Sequence, residues 1–141
     1  MGCILRLTGS NLAVDDLLAI STLKPYRVDR KGGPGPLKSS PARARSGAHF
    51  SVSDRGFDDL AGQITDAIAY LEVNDAAIRR LAGFPGVESA VLDFGIEWRD
   101  VAAQFDHFPS RLLLLAGSLG LGLDLSHYPL AEPSSSEGAG A

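Results

Sequence analysis

Residues 108–128 read FPSRLLLLAGSLGLGLDLSHY, from Phe108 to Tyr128. The run predicts a short apolar helix opening at Pro109 or Ser110, because proline suits a first helical position. Gly120 is placed to stop it. Leu121, Leu123 and Leu125 then alternate with smaller or polar residues, the period of a strand, here expected to be buried. Two other readings of the stretch fail. The apolar run Leu112 to Leu125 is too short for a membrane span, is broken by Gly117, Gly120 and Gly122, and meets Asp124. A dinucleotide fingerprint needs its glycines after a strand and at the start of a helix; here they close a helix and enter a strand.

Reading outward from there, residues 87–98 (VESAVLDFGIEW) form a long strand pattern. Ala90, Leu92, Phe94, Ile96 and Trp98 are expected on one face, Ser89, Val91, Asp93, Gly95 and Glu97 on the other. An irregular link, Arg99 to His107, joins it to the last helix. Phe57, Leu60, Ile64, Ile68 and Leu71 step by three or four and predict one helical face, with Gln63, Asp66 and Glu72 turned to water. A shorter helix follows over 76–82, capped by Asn74-Asp75 and closed by Gly83 and Pro85. Residues 3–8 alternate with Cys3, Leu5 and Leu7 inward and Ile4, Arg6 and Thr8 outward. Residues 48–53 alternate with Phe50 and Val52 inward and His49 and Ser51 outward. Leu12 to Leu23 reads as a helix ended by Pro25.

Strands alternating with helices, each strand with one apolar face, predict an α+β fold. The expected architecture is a ferredoxin-like two-layer sandwich: four or five mostly antiparallel strands with helices on one face. Residues 1–130 form one domain, and 131–141 (small and polar, EPSSSEGAGA from Glu132) are expected to be a disordered tail.

The chain has 141 residues, 45% hydrophobic, with a net charge of −4, which argues against a dedicated nucleic-acid binder. Charge is unevenly spread. Of 13 Lys and Arg, seven lie in residues 24–47, beside one of the 17 acids, Asp29. Glycines and prolines forbid a long helix there, leaving a loop with a brief strand near Tyr26-Arg27-Val28. Loops of this length in a small domain are functional or disordered. Cys3 is the lone cysteine, so no intrachain disulfide forms, and a cytoplasmic setting is expected. No charged and apolar leader precedes Cys3, and the myristoylation pattern would need Ser or Thr where Arg6 stands.

The segments LRLTGSNL, LKPYR and SGAHFSVSD, with the closing SLGLGLDLSHY, together resemble a bacterial family, the domain of unknown function numbered 4279. The likeness runs over residues 3–128. The chain departs from the family pattern at His49-Phe50, where a tryptophan is usual, and in its glycine- and proline-rich loop. The resemblance implies a single-domain cytoplasmic protein and, by analogy with other small bacterial proteins, an immunity or accessory role.

For function, the basic loop stands out. Arg27, Arg30, Lys31, Lys38, Arg43 and Arg45 are candidates for an anion-binding lip, with Tyr26, Trp98 and Arg99 as interface anchors. The sequence offers no cofactor motif and no histidine pair at metal-ligand spacing. Cys3 stands in line with Leu5 and Leu7, a packing position. The leading expectation is a non-enzymatic interaction module that meets an acidic protein partner. Two alternatives stand beside it: a small anion or nucleic acid held by the same loop, and a hydrolase or transferase near Asp100, Asp106 and His107.

Overall fold

The computed structural model describes residues 1–129; the expected tail at 131–141 lies outside them. Nine elements follow in order: β1 (Cys3–Gly9), α1 (Val14–Ile20), β2 (Arg27–Asp29), β3 (Ser46–Ser53), α2 (Leu60–Val73), α3 (Asp75–Ala82), β4 (Ser89–Trp98), α4 (Ser110–Ser118) and β5 (Gly122–Pro129). The strands make one sheet in the order β2-β3-β1-β4-β5. The pairs β2–β3, β3–β1 and β1–β4 are antiparallel, and β4–β5 is parallel. The first four strands, with α1 after β1 and the α2–α3 pair after β3, are the split βαββαβ unit of a ferredoxin-like sandwich. The α4–β5 segment adds a fifth strand, parallel to β4, through a helical crossover.

The inner face of the sheet is the core. Leu5 lies between Phe50 and Leu92, and Cys3 pairs with Phe94. All five side chains are wholly buried. Against them pack Leu17 of α1, Ile64, Ala67 and Leu71 of α2, Ile78 and Leu81 of α3, and Leu112 and Ala116 of α4. Each large side chain so buried contributes about 1.5–3 kcal/mol. Phe108 meets Phe94 edge-on at 5.4 Å and anchors the entry to α4.

Several local readings are corrected. The apolar stripe of α2 does not begin at Phe57. The Asp59 side chain accepts the Gly62 N–H at 2.9 Å and caps the helix at Leu60. Phe57 is left before the cap, and it stacks on Tyr128. Gln63 is not on the wet side: it is fully buried, donating from Nε2 to the carbonyls of Gly56 and Gly95 at 2.9 and 2.8 Å. The sequence stripe could not show that backbone from two other segments needed a donor there.

The helix stop at Gly120 is as expected. Its φ of +80° lets the Leu121 N–H reach back to the Ala116 carbonyl at 2.9 Å. The strand after it is not buried. β5 is a sheet edge: Leu121 and Leu123 pack against the core, but Leu125 is 37% exposed. Likewise Leu113 and Leu114 of α4 face outward, and Trp98 at the end of β4 is 65% exposed rather than aligned with the core.

Candidate functional site

The outer face of the sheet carries the side chains that the inner face excludes. Arg6 of β1 stands opposite His49 of β3, which stands opposite Arg27 of β2. Ile4 stands opposite Asp93, which pairs with Asp124 of β5. Strand pairing therefore gathers, on one surface, charges that are far apart in sequence. Arg6 donates to Asp93 at 3.0 Å and to Asp124 at 2.9 Å, and Ser126 donates to the other Asp93 oxygen at 2.7 Å.

The 24–47 loop is folded back over one end of this face. Its neck is closed by two backbone hydrogen bonds, Gly32 N–H to Arg43 O at 2.8 Å and Arg43 N–H to Gly33 O at 2.9 Å. The Lys31 N–H is held by the Ser46 hydroxyl at 2.9 Å. From the neck, Arg43 reaches back to Asp29 at 3.5 Å. Asp29 also takes both a Nε and an NH2 donor from Arg27, at 3.1 and 3.0 Å, and lies 3.0 Å from His49 Nε2. One carboxylate thus ties β2, β3 and the loop together.

That clasp explains a further departure from the sequence pattern. His49 points to the outer face as expected, yet it is only 5% exposed. β3 is buried on both faces from Ser46 to Phe50, because the loop and β2 cover the side that the helices do not. Burial pushes the His49 imidazole below its ordinary value, outweighing the Asp29 hydrogen bond that lifts it. Burial would raise the Asp29 carboxyl, but the Arg27 and His49 hydrogen bonds and charges overrule it and hold it low. At neutral pH the pair is therefore carboxylate and neutral imidazole. The proton sits on Nε2, facing Asp29, and Nδ1 is a bare acceptor. Nδ1 is buried and has no hydrogen-bond partner among the described residues.

Between loop and sheet lies an open groove of about 510 Å³. Arg6, Thr8, Asp29, Arg43, Arg45 and His49 are among its walls. The six candidate cations of the loop divide in two. Arg27 and Arg43 are spent on Asp29, and Arg30 on Asp15 at 2.7 Å. Lys31, Lys38 and Arg45 are exposed and have no carboxylate within ion-pair distance among the described residues. Glu88, hydrogen-bonded by Ser10, has its carboxyl held down further by the charges of Arg45 and Lys31.

The remaining candidates lie elsewhere. Tyr26 begins β2's approach and sits with its ring 6.1 Å from that of His49. Trp98 lines a separate hollow with Gln104 and His127. Arg99 is 3.4 Å from Asp106, which also takes a hydrogen bond from Gln104 at 3.1 Å. Asp106 is thereby committed to holding the 99–107 link. His107 and Asp100 are exposed. They line none of the cavities described, so geometry gives the Asp106-His107 reading no support. Cys3 is buried, and its thiol is pushed up chiefly by that burial, the opposite of an activated nucleophile. β5 pairs with β4, so His127 is separated from Cys3 by a strand. Among the described residues no cluster of His, Cys, Asp or Glu is arranged to hold a metal ion, and no helix is long and apolar enough to cross a membrane.

No family model matches the chain, and neither a curated protein nor a solved structure matches it.

Proposed function

We propose that the chain is a non-enzymatic binding module whose loop rim takes an acidic segment of a protein partner. The observation that carries this is the division of the loop cations. Three are committed to carboxylates, Arg27 and Arg43 to Asp29 within the segment and Arg30 to Asp15 of α1, and three, Lys31, Lys38 and Arg45, are left exposed and without carboxylate partners among the described residues. A fastened loop with unspent charge is pre-organised, so little ordering entropy opposes binding. The groove beside Arg45 is open to solvent rather than sealed around a small molecule.

An enzymatic role is disfavoured by the same geometry. The Asp29–His49 pair has the form of a general base and its orienting acid, but the free nitrogen is buried away from solvent. A regulatory or immunity-like accessory role in the cytoplasm, with a lone reduced cysteine, fits both the binding surface and the family resemblance.

The test is titration with a labelled oligoglutamate peptide. The expected result is saturable binding that weakens with salt, as exposed ion pairs do. It is abolished in a Lys31→Glu, Lys38→Glu, Arg45→Glu chain that keeps its melting temperature. Single-stranded DNA and inorganic phosphate serve as parallel probes. Peptide binding that survives the triple charge reversal overturns the proposal, and so does tighter binding of either parallel probe.

A further inference from the structure

The outer face carries a second, smaller hollow, about 200 Å³, beyond the Arg6–Asp93 pair. Tyr26, Phe57 and Tyr128 line it, with Asp93 and Gly95 beneath. These rings are 44%, 38% and 42% exposed, so three aromatic faces meet water around one depression. Phe57 and Tyr128 stack with ring centroids 4.4 Å apart and planes 9° from parallel, and form one wall. The wall is built in. A Cβ on Gly95 would lie 2.7 Å from the Phe57 ring and 3.1 Å from Tyr128, so a side chain there would displace the stack. The Glu97 N–H holds the Phe57 carbonyl at 3.0 Å.

Carboxylates also stand at this end of the face. Asp93 and Asp124 share the single guanidinium of Arg6. Glu97 stands opposite Tyr128, and its carboxylate has no partner among the described residues. Of these carboxylates Asp93 lines the hollow itself, below the three rings. Aromatic faces are electron-rich and attract cations; carboxylates below them reinforce the attraction and repel anions.

We propose that this hollow binds an alkylammonium group, preferentially trimethylammonium, with Tyr26 on one side and the Phe57–Tyr128 wall on the other. A methylated ammonium sheds its water more readily than a primary one and fills a hollow of this size. The site uses residues distinct from Lys31, Lys38 and Arg45, so its failure and that of the acidic-segment reading are separable.

The experiment titrates the full chain with choline and with its uncharged carbon isostere, 3,3-dimethylbutan-1-ol, following the Gly95 amide by NMR. Choline is expected to shift that signal saturably. The isostere binds about tenfold more weakly, the ratio a desolvated cation–π contact of ordinary strength gives. Tyr26→Ala, at an exposed position, weakens choline several-fold while the rest of the spectrum stays folded; Tyr128→Ala does the same from the other wall. A trimethyllysine peptide run in parallel distinguishes a protein side chain from a free small molecule as the source of the group. Equal binding of choline and the isostere reduces the site to an apolar hollow and overturns the proposal. So does the absence of a saturable shift with choline and with the peptide, or choline binding untouched by both tyrosine variants.

Discussion

The two faces of the sheet are made from the same strands in the same alternation, yet they are held by different physics. On the inner face Leu5, Phe50, Leu92 and Phe94 interlock with four helices, with Gln63 and Ser53 as buried polar side chains among them. On the outer face two sets of charge-assisted hydrogen bonds stand side by side, Arg6 with Asp93 and Asp124 across β1, β4 and β5, and Asp29 with Arg27 and His49 across β2 and β3. The inner face is non-directional and tolerates exchange of one apolar shape for another. The outer face works only if each partner is present, because a lone buried charge costs more than a completed pair gains. Stability therefore belongs chiefly to the inner side, and the proposed recognition surfaces to the outer one.

The largest expected effect breaks the inner face. Phe94→Ala removes a wholly buried ring from the middle of β4 and its edge contact with Phe108. It is expected to cost about 3–5 kcal/mol, read as a drop in the urea midpoint. An outer-face substitution of comparable cost would erase the distinction drawn above. Arg6→Ala is next. It leaves Asp93 with Ser126 alone and Asp124 with no donor among the described residues, at a cost of about 1–3 kcal/mol. Asp124 is half exposed and recovers part of this from water, which keeps the loss below that of Phe94→Ala.

The smallest effect is confined to acid. His49 is depressed in the folded chain, chiefly by burial, from its ordinary 6.5. Between the two values the unfolded chain binds the extra proton, so stability is complete above about pH 6.5 and falls as pH drops toward the folded value. Asp29, also depressed, adds a loss at still lower pH, below its ordinary 3.8. His49→Gln is expected to flatten the first slope and leave the second, measured as urea midpoints from pH 7 down. A slope of unchanged size in that variant would show that the loop clasp does not depend on the neutral imidazole.

The inner face was legible in the sequence because burial by helices imposes a period of two on strands and of three to four on their cover. Cys3, Leu5 and Leu7 needed no structure to place. The outer face was legible only as a direction. Alternation sends Arg6, His49 and Asp93 outward, but it cannot say that His49 is then sealed by a loop 24–47 that returns over it, or that Arg6 finds Asp124 across 118 residues. The basic loop was visible as composition. Which of its cations are free is a matter of distances, and half proved to be committed. The aromatic hollow had no sequence signal. Phe57 read as a helical core residue until the Asp59 cap moved the helix start past it, and β2 and β5 lie at opposite edges of the sheet, so nothing in the strand pattern announces that Tyr26 and Tyr128 line one hollow.

The parallel addition of β5 has a consequence for association. Without it the ten-residue β4 would be an open margin of the sheet. A long strand with a free hydrogen-bonding edge is a template on which another chain can pair. β5 takes up that edge from Val91 to Trp98. The stretch 108–128 thus guards β4 with a strand from the same polypeptide.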